Sequence, residues 1–194
     1  MASEARERLF GVAGAAFARD GFEPASLNAI LLEAGVGKST FFYYFVDKED
    51  LFAAVLEAKM ARIAKAVGPV ALPESRKRFW AETTALLERW AHAAVSDPDF
   101  LPLQRALQPL RRAASPRLAD VMGEVVAMYR RVLERGVELG LVRSDLPLDT
   151  LVALTEAVDL VFDDLLHRDA APTAAALDAH RARVFDTIRR LLRP

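Results

Sequence analysis

The chain contains no cysteine, which excludes disulfides, thiolate metal sites and a cysteine nucleophile, and is compatible with a reducing compartment. Long apolar runs are also missing. The N-terminal stretch MASEARERLF carries charges of both signs where a secretory signal would be apolar, and uncharged stretches elsewhere fall short of the roughly 20 residues a membrane span needs. A cytoplasmic protein without a membrane partner is expected. No charge sign dominates: 26 Lys and Arg against 27 Asp and Glu give a net charge of -1, so any nucleic-acid contact must come from a few local cations. Glycines number only 9 and prolines 10, and valine and isoleucine rarely alternate with polar residues, which argues against strands.

What is present is helical periodicity. A hydrophobic content of 53% over 194 residues is ample for a buried core, and apolar residues recur three and four apart almost everywhere. The reading is an all-α fold. Leu9, Phe10, Ala13, Ala16 and Phe17 mark the face of a first helix that stops at Asp20-Gly21. Ser26 is a good N-cap for a second helix with Leu27, Ile30 and Leu31 on one face, closed at Gly35. A very short third helix starts from Gly37 and carries aromatics to Phe45. Asp47, with Asp50 three residues on, opens a fourth helix in a capping-box-like arrangement and runs to about Val67. Two short helices joined by a turn holding Gly35 have the layout of a helix-turn-helix, over about residues 27–46.

Gly68-Pro69 and Leu72-Pro73 then punctuate the chain. A fifth helix has Phe79, Trp80, Thr83, Leu86, Leu87, Trp90 and Ala94 inside and ends at Asp97-Pro98. Pro102 and Pro109 limit the segment from Phe100 to Ala114 to a short or kinked element. A long helix from about Pro116 to Leu139 follows, stopped by Gly140. After the turn at Asp145-Leu146-Pro147 come two more, one with Leu151, Leu154, Val158, Val161, Phe162 and Leu165 on its face, the last with Leu177, Val184, Ile188 and Leu191.

Residues 37–40 read Gly-Lys-Ser-Thr, the tail of a nucleotide-binding P-loop. That loop needs a glycine five residues before Gly37 and a strand leading into it, and the residue there is Leu32, inside the second helix. Gly37 is therefore read as a helix cap. Lys38, Ser39 and Thr40 supply donors and acceptors on the first turn of a helix about 10 Å long, a length that fits a major groove. Phe41, Tyr44 and Phe45 share a face and are expected to pack, while Phe42 and Tyr43 point elsewhere.

No metal, cofactor or catalytic constellation accompanies this motif. His92, His167 and His180 lack metal-ligand spacing, and no serine sits in a nucleophile elbow. Asp163-Asp164, with Glu156 and Asp159, is read as a solvated acidic face. Large aromatic and flexible apolar side chains gather beyond residue 78. They are mostly core, but a ligand pocket between helices has the same composition plus a few polar groups. Trp80, Trp90, Phe100 and Met122, with Thr83, His92, Gln104 and Tyr129, are the candidate lining.

The segment LFGVAGAAFARDGFEPASLNAILLEAGVGKSTFFYYFVDKEDL, residues 9–51, resembles the N-terminal DNA-binding domain of the TetR family of bacterial transcriptional regulators. The matching features include Phe17, Gly21-Phe22, Ser26, Ile30, Ala34-Gly35-Val36, Lys38, Thr40, Tyr44-Phe45, Lys48-Glu49 and Leu51, in register without a gap. The resemblance implies a DNA-binding domain over 1–50 and a helical effector-binding and dimerisation domain over 51–194. It implies a homodimeric, ligand-responsive repressor on double-stranded DNA with a palindromic operator, a small apolar effector, and a dimer formed through the last two helices. The DNA-binding set is Ser26, Asn28, Gly37, Lys38, Ser39, Thr40, Tyr43 and Lys48: Ser26 and Asn28 would touch phosphates, Gly37 would cap the recognition helix at the DNA, Lys38, Ser39, Thr40 and Tyr43 would face the major groove, and Lys48 would clamp the DNA backbone.

Three positions depart from the family pattern. A tyrosine is usual at Phe42, a basic residue near Asn28 and a serine at Gly37. Fewer backbone contacts predict weaker binding with a shallower salt dependence. The rival reading is a helical small-molecule-binding protein that has lost DNA binding.

Overall fold

The computed structural model describes residues 1–111, 114–166 and 174–194, and these contain helices and no strand. In chain order the helices are α1 (Ser3–Asp20), α2 (Leu27–Ala34), α3 (Lys38–Tyr44), α4 (Lys48–Val67), α5 (Phe79–Val95), α6 (Phe100–Leu107), α7 (Pro116–Glu138), α8 (Leu148–Leu166) and α9 (Ala174–Leu191), with one 3-10 turn at Gln108–Leu110. Pro102 does not break α6, because it sits in the first turn, where its missing N–H would have no helical partner. Pro109 falls in the 3-10 turn that follows. His167 and the side chains of Asp163, Asp164, Leu165 and Leu177 lie outside the described residues.

The chain forms two compact units, one of Met1–Gly68 and Arg89–Gly123, the other of Pro69–Glu88 and Glu124–Pro194. In the first, α1 packs against α2, α4 and α6. Leu9, Ala13, Phe17, Phe41, Leu51, Phe52 and Leu103 are fully excluded from solvent and form its centre. Phe17, Phe22 and Phe52 make a closed aromatic triangle, with centroids 5.9, 5.1 and 5.5 Å apart and Phe52 edge-on to the other two. Aromatic pairs in such geometries add about 0.5–1.5 kcal/mol beyond their buried area. The Lys59 ammonium on α4 bonds both carboxylate oxygens of Asp97, at 2.7 and 2.8 Å, and Asp99 at 3.2 Å, which ties the α5–α6 turn to α4.

The second unit is built on Phe79, Leu133, Val142, Leu151, Val152 and Leu192. Gly140, with φ +64°, ends α7 in the left-handed region, and the chain then doubles back so that Val142 packs over Gly136. The Arg143 N–H donates to the Leu192 carbonyl at 2.8 Å and fastens that return to the end of α9. Trp80 meets Phe185 edge-on at 6.1 Å, and α8 packs along α9. On the expected inner face of α5, Phe79, Thr83 and Leu86 are buried, whereas Trp80, Leu87, Trp90 and Ala94 are only half-buried.

Candidate nucleic-acid interface

The sequence from Ser26 to Asp50 builds two short helices and fixes both ends of each turn. The Ser26 hydroxyl accepts the Ala29 N–H at 3.4 Å and opens α2. Gly35, φ +66°, closes it in the left-handed region, and the Val36 N–H returns to the Leu31 carbonyl at 2.9 Å while both side chains are buried, a Schellman-type stop. From α1, Arg8 Nε donates to the Ala34 carbonyl at 2.9 Å, satisfying another orphan acceptor of that helix end. Gly37 has an extended backbone and offers no side-chain cap, so α3 starts only on its carbonyl, which accepts the Phe41 N–H at 2.9 Å.

Phe41 and Phe45 anchor α3. They are 0% and 6% exposed, stack at 5.3 Å, and Phe45 also meets Phe10 of α1 at 6.3 Å. Everything else on the helix faces outward: Lys38, Ser39, Thr40, Phe42, Tyr43 and Tyr44 are exposed. The expectation that Tyr44 packs with the two phenylalanines is thus corrected, for Tyr44 is 46% exposed and its ring lies edge-on against Tyr43 at 4.9 Å. Turning about 100° per residue, Tyr44 is displaced by about 60° from Phe41 and 100° from Phe45, on the flank of the buried stripe.

At the exit from α3, the Asp47 carboxylate accepts the Asp50 N–H at 2.8 Å, and the Asp50 carboxylate accepts the Val46 N–H at 2.9 Å. One pair of aspartates therefore caps α4 and holds the residue after α3. Arg117, at the start of α7, donates to Asp50 at 2.8 Å and to Glu57 at 2.9 Å, and the Ser115 N–H donates to Glu49 at 2.5 Å. Burial opposes the Arg117 charge, but hydrogen bonds to Glu57 and Asp50 outweigh it and raise its pKa further. These bonds join residues 60 to 67 apart in sequence, and no local pattern announces them.

The DNA-contact candidates all fall on this unit. Ser26, Asn28, Gly37, Lys38, Ser39, Thr40 and Tyr43 are exposed, while Lys48 is half-buried. The Lys48 ammonium donates to the carbonyls of Phe22, Glu23 and Ala25 at 2.8, 3.0 and 3.2 Å and lies 4.5 Å from the Phe22 ring centre. All three of its donors hold the loop that presents Ser26, a role the sequence did not reveal.

The candidate effector residues divide. Trp80, Thr83 and Tyr129 belong to the second unit, and Trp90, His92, Phe100, Gln104 and Met122 to the first. Phe100 is a core residue at 5% exposure and His92 faces solvent. Thr83 Oγ1 and Trp90 Nε1 are buried without a hydrogen-bond partner, and the Tyr129 hydroxyl bonds Asp159 at 2.9 Å. An open cleft of about 380 Å³ lies elsewhere, between the loop after α1 and α6, lined by residues such as Asp20, Phe22, Pro102 and Arg105.

Residues 9–55 match the family model for bacterial regulatory proteins of the tetR family. Among curated proteins, the chain is 29% identical over 153 residues to the HTH-type transcriptional repressor NicS of Pseudomonas putida, covering 75% of this chain and 69% of NicS. It is 28% identical over 158 residues to the HTH-type transcriptional repressor AcnR of Corynebacterium glutamicum, covering 80% and 78%. Among solved structures, FadR of Bacillus subtilis in complex with stearoyl-CoA superposes with a TM-score of 0.71 at 14% identity, covering 94% of this chain and 96% of FadR. A TetR family transcriptional regulator from Chloroflexus aurantiacus gives 0.65 at 22% identity, covering 100% and 95%. Together with the helix-turn-helix geometry, these matches show that residues 9–55 are a segment of the tetR type and that the chain is similar over most of its length to transcriptional repressors that carry it.

Proposed function

We propose that the chain is a sequence-specific, DNA-binding transcriptional regulator of the bacterial cytoplasm, a homodimeric repressor released from its operator by a small apolar effector. The observation that carries this reading is α3. Lys38, Ser39, Thr40 and Tyr43 stand exposed on a short helix whose other face is pinned by Phe41 and Phe45, which is what reading base edges requires. Residues 1–50 form the DNA-binding domain in this reading, and 51–194 the effector-binding and dimerisation domain. Ser26 and Asn28 approach phosphates at the start of α2, and Lys48 acts at the DNA backbone, partly by holding the loop that carries Ser26.

A single seven-residue helix reads few base pairs, so two copies on a palindrome are needed. The dimer forms through α8 and α9. Val161 on α8 is 59% exposed, and Val158, Val184 and Ile188 are only half-buried, which leaves apolar surface for a partner. Of the candidate lining residues, Trp80, Thr83 and Tyr129, which belong to the second unit, are the proposed effector contacts. FadR, which shares the fold, is seen with stearoyl-CoA, and this supports an apolar effector. An effector that prefers the non-binding form by about 3 kcal/mol would weaken DNA affinity roughly 150-fold.

Gel mobility of the DNA upstream of its own gene tests the proposal, and absence of any shift at low salt would refute it. In the same assay Lys48→Ala weakens binding to every sequence alike, whereas Thr40→Ala changes the preferred bases. The reverse pattern would exchange their roles.

A further inference from the structure

Of nine exposed large apolar side chains among the described residues, five lie between Leu32 and Val46. Such clustering marks contact surface rather than chance exposure. On α3 the polar groups stand in the first turn, Lys38, Ser39 and Thr40, and the second turn is aromatic, Phe42, Tyr43 and Tyr44. Phe42 alone among these six has nothing to donate or accept. It is 57% exposed, and its ring lies edge-on against the fully buried Phe41 at a centroid distance of 5.0 Å and 78°. An apolar ring is thus presented on the exposed face of α3, beside the residues proposed to read base edges. The floor of the major groove offers one apolar group, the C5-methyl of thymine.

We infer that Phe42 is a specificity-determining residue that packs on a thymine methyl in each half-site, so that the second turn of α3 reads that apolar group, whereas the first reads hydrogen bonds. The inference rests on the DNA-binding reading above. Losing one methyl contact of this kind weakens binding roughly fourfold for each half-site.

The test has two stages with the full-length chain. Selection from a random double-stranded pool yields the operator, and failure of any sequence to enrich would overturn the DNA-binding reading and this inference with it. Each thymine of the selected operator is then replaced by deoxyuridine, which removes only the methyl, and dissociation constants are measured. We expect one position per half-site at which deoxyuridine weakens wild-type binding about fourfold, and little or no effect of that replacement on Phe42→Ala, with Phe42→Leu retaining part of it. If every deoxyuridine operator binds as tightly as its parent, Phe42 reads no methyl, and the inference fails while the DNA-binding reading stands. The same follows if the deoxyuridine penalty is undiminished in Phe42→Ala. The wild-type scan decides the first point without reference to how the variants fold.

Discussion

A methyl group added at Gly136 would collide with Val142, and would lie 2.8 Å from Phe79 Cζ, both in the core of the second unit. Helical periodicity places residue 136 on the inner face of α7, but only the return of the chain after Gly140 shows why that residue is glycine. Overpacking of this kind typically costs about 1–3 kcal/mol, so Gly136→Ala should lower the urea midpoint, and an unchanged midpoint would disprove the close approach. His180 is the second residue with a measurable consequence. It is buried on α9 with its ring edge-on to Phe162 at 5.7 Å. Burial pushes its pKa down, Arg183 and Arg181 add to that, and Asp159 opposes it. A folded-state pKa below the unfolded value of about 6.5 means that protonation favours unfolding. Stability from this residue is complete above about pH 7 and falls as the pH drops through about 6.5. Between pH 7.5 and 5.5 the melting temperature of wild type should fall more than that of His180→Leu, and parallel falls would remove His180 as the cause.

At the scale of elements, the helices and their punctuation were legible because their causes are local. Ser26, Gly35, Asp47 and Gly140 each act within a turn of where they stand. Tyr44 departs from its spacing for the opposite reason: spacing alone puts it with Phe41 and Phe45, but how far a residue on the flank of the stripe is covered depends on the elements beside it, and Tyr44 stays 46% exposed. The Arg117 link to Asp50 and Glu57 was illegible, since it depends on how a segment 60 or more residues away folds back. Its side chain is 41% exposed, so the ion pairs themselves contribute on the order of 1 kcal/mol. Because Asp50 also accepts the Val46 N–H, Arg117→Gln and Asp50→Asn should be non-additive by about 0.5 kcal/mol or more in chemical denaturation. Strict additivity would mean that the two residues act independently.

At the scale of the whole molecule, the charge balance carries a prediction about binding. Between Arg19 and Lys48 the only cation is Lys38, and Lys48 already spends its donors on the loop before α2. With one to two phosphates neutralised per protomer, the logarithm of operator affinity should fall against log salt with a slope of about -2 to -4 for a dimer. A slope of about -8 or steeper would require cations beyond the helix-turn-helix. The compact units also show what sequence punctuation leaves out. Gly68-Pro69 marks one change of unit, but another falls inside α5 between Glu88 and Arg89, where periodicity continues unbroken.

The shared aspartate cap between α3 and α4 has a consequence for engineering. Operator specificity in such regulators invites transplantation of the N-terminal segment onto another chain, with the seam placed after residue 50. A graft cut there from this chain carries Asp50 away from Arg117, and Glu49 away from Ser115. A recipient with an arginine at the start of its own long helix would restore the Asp50 contact, and one without it leaves the shared cap between α3 and α4 without its partner from α7.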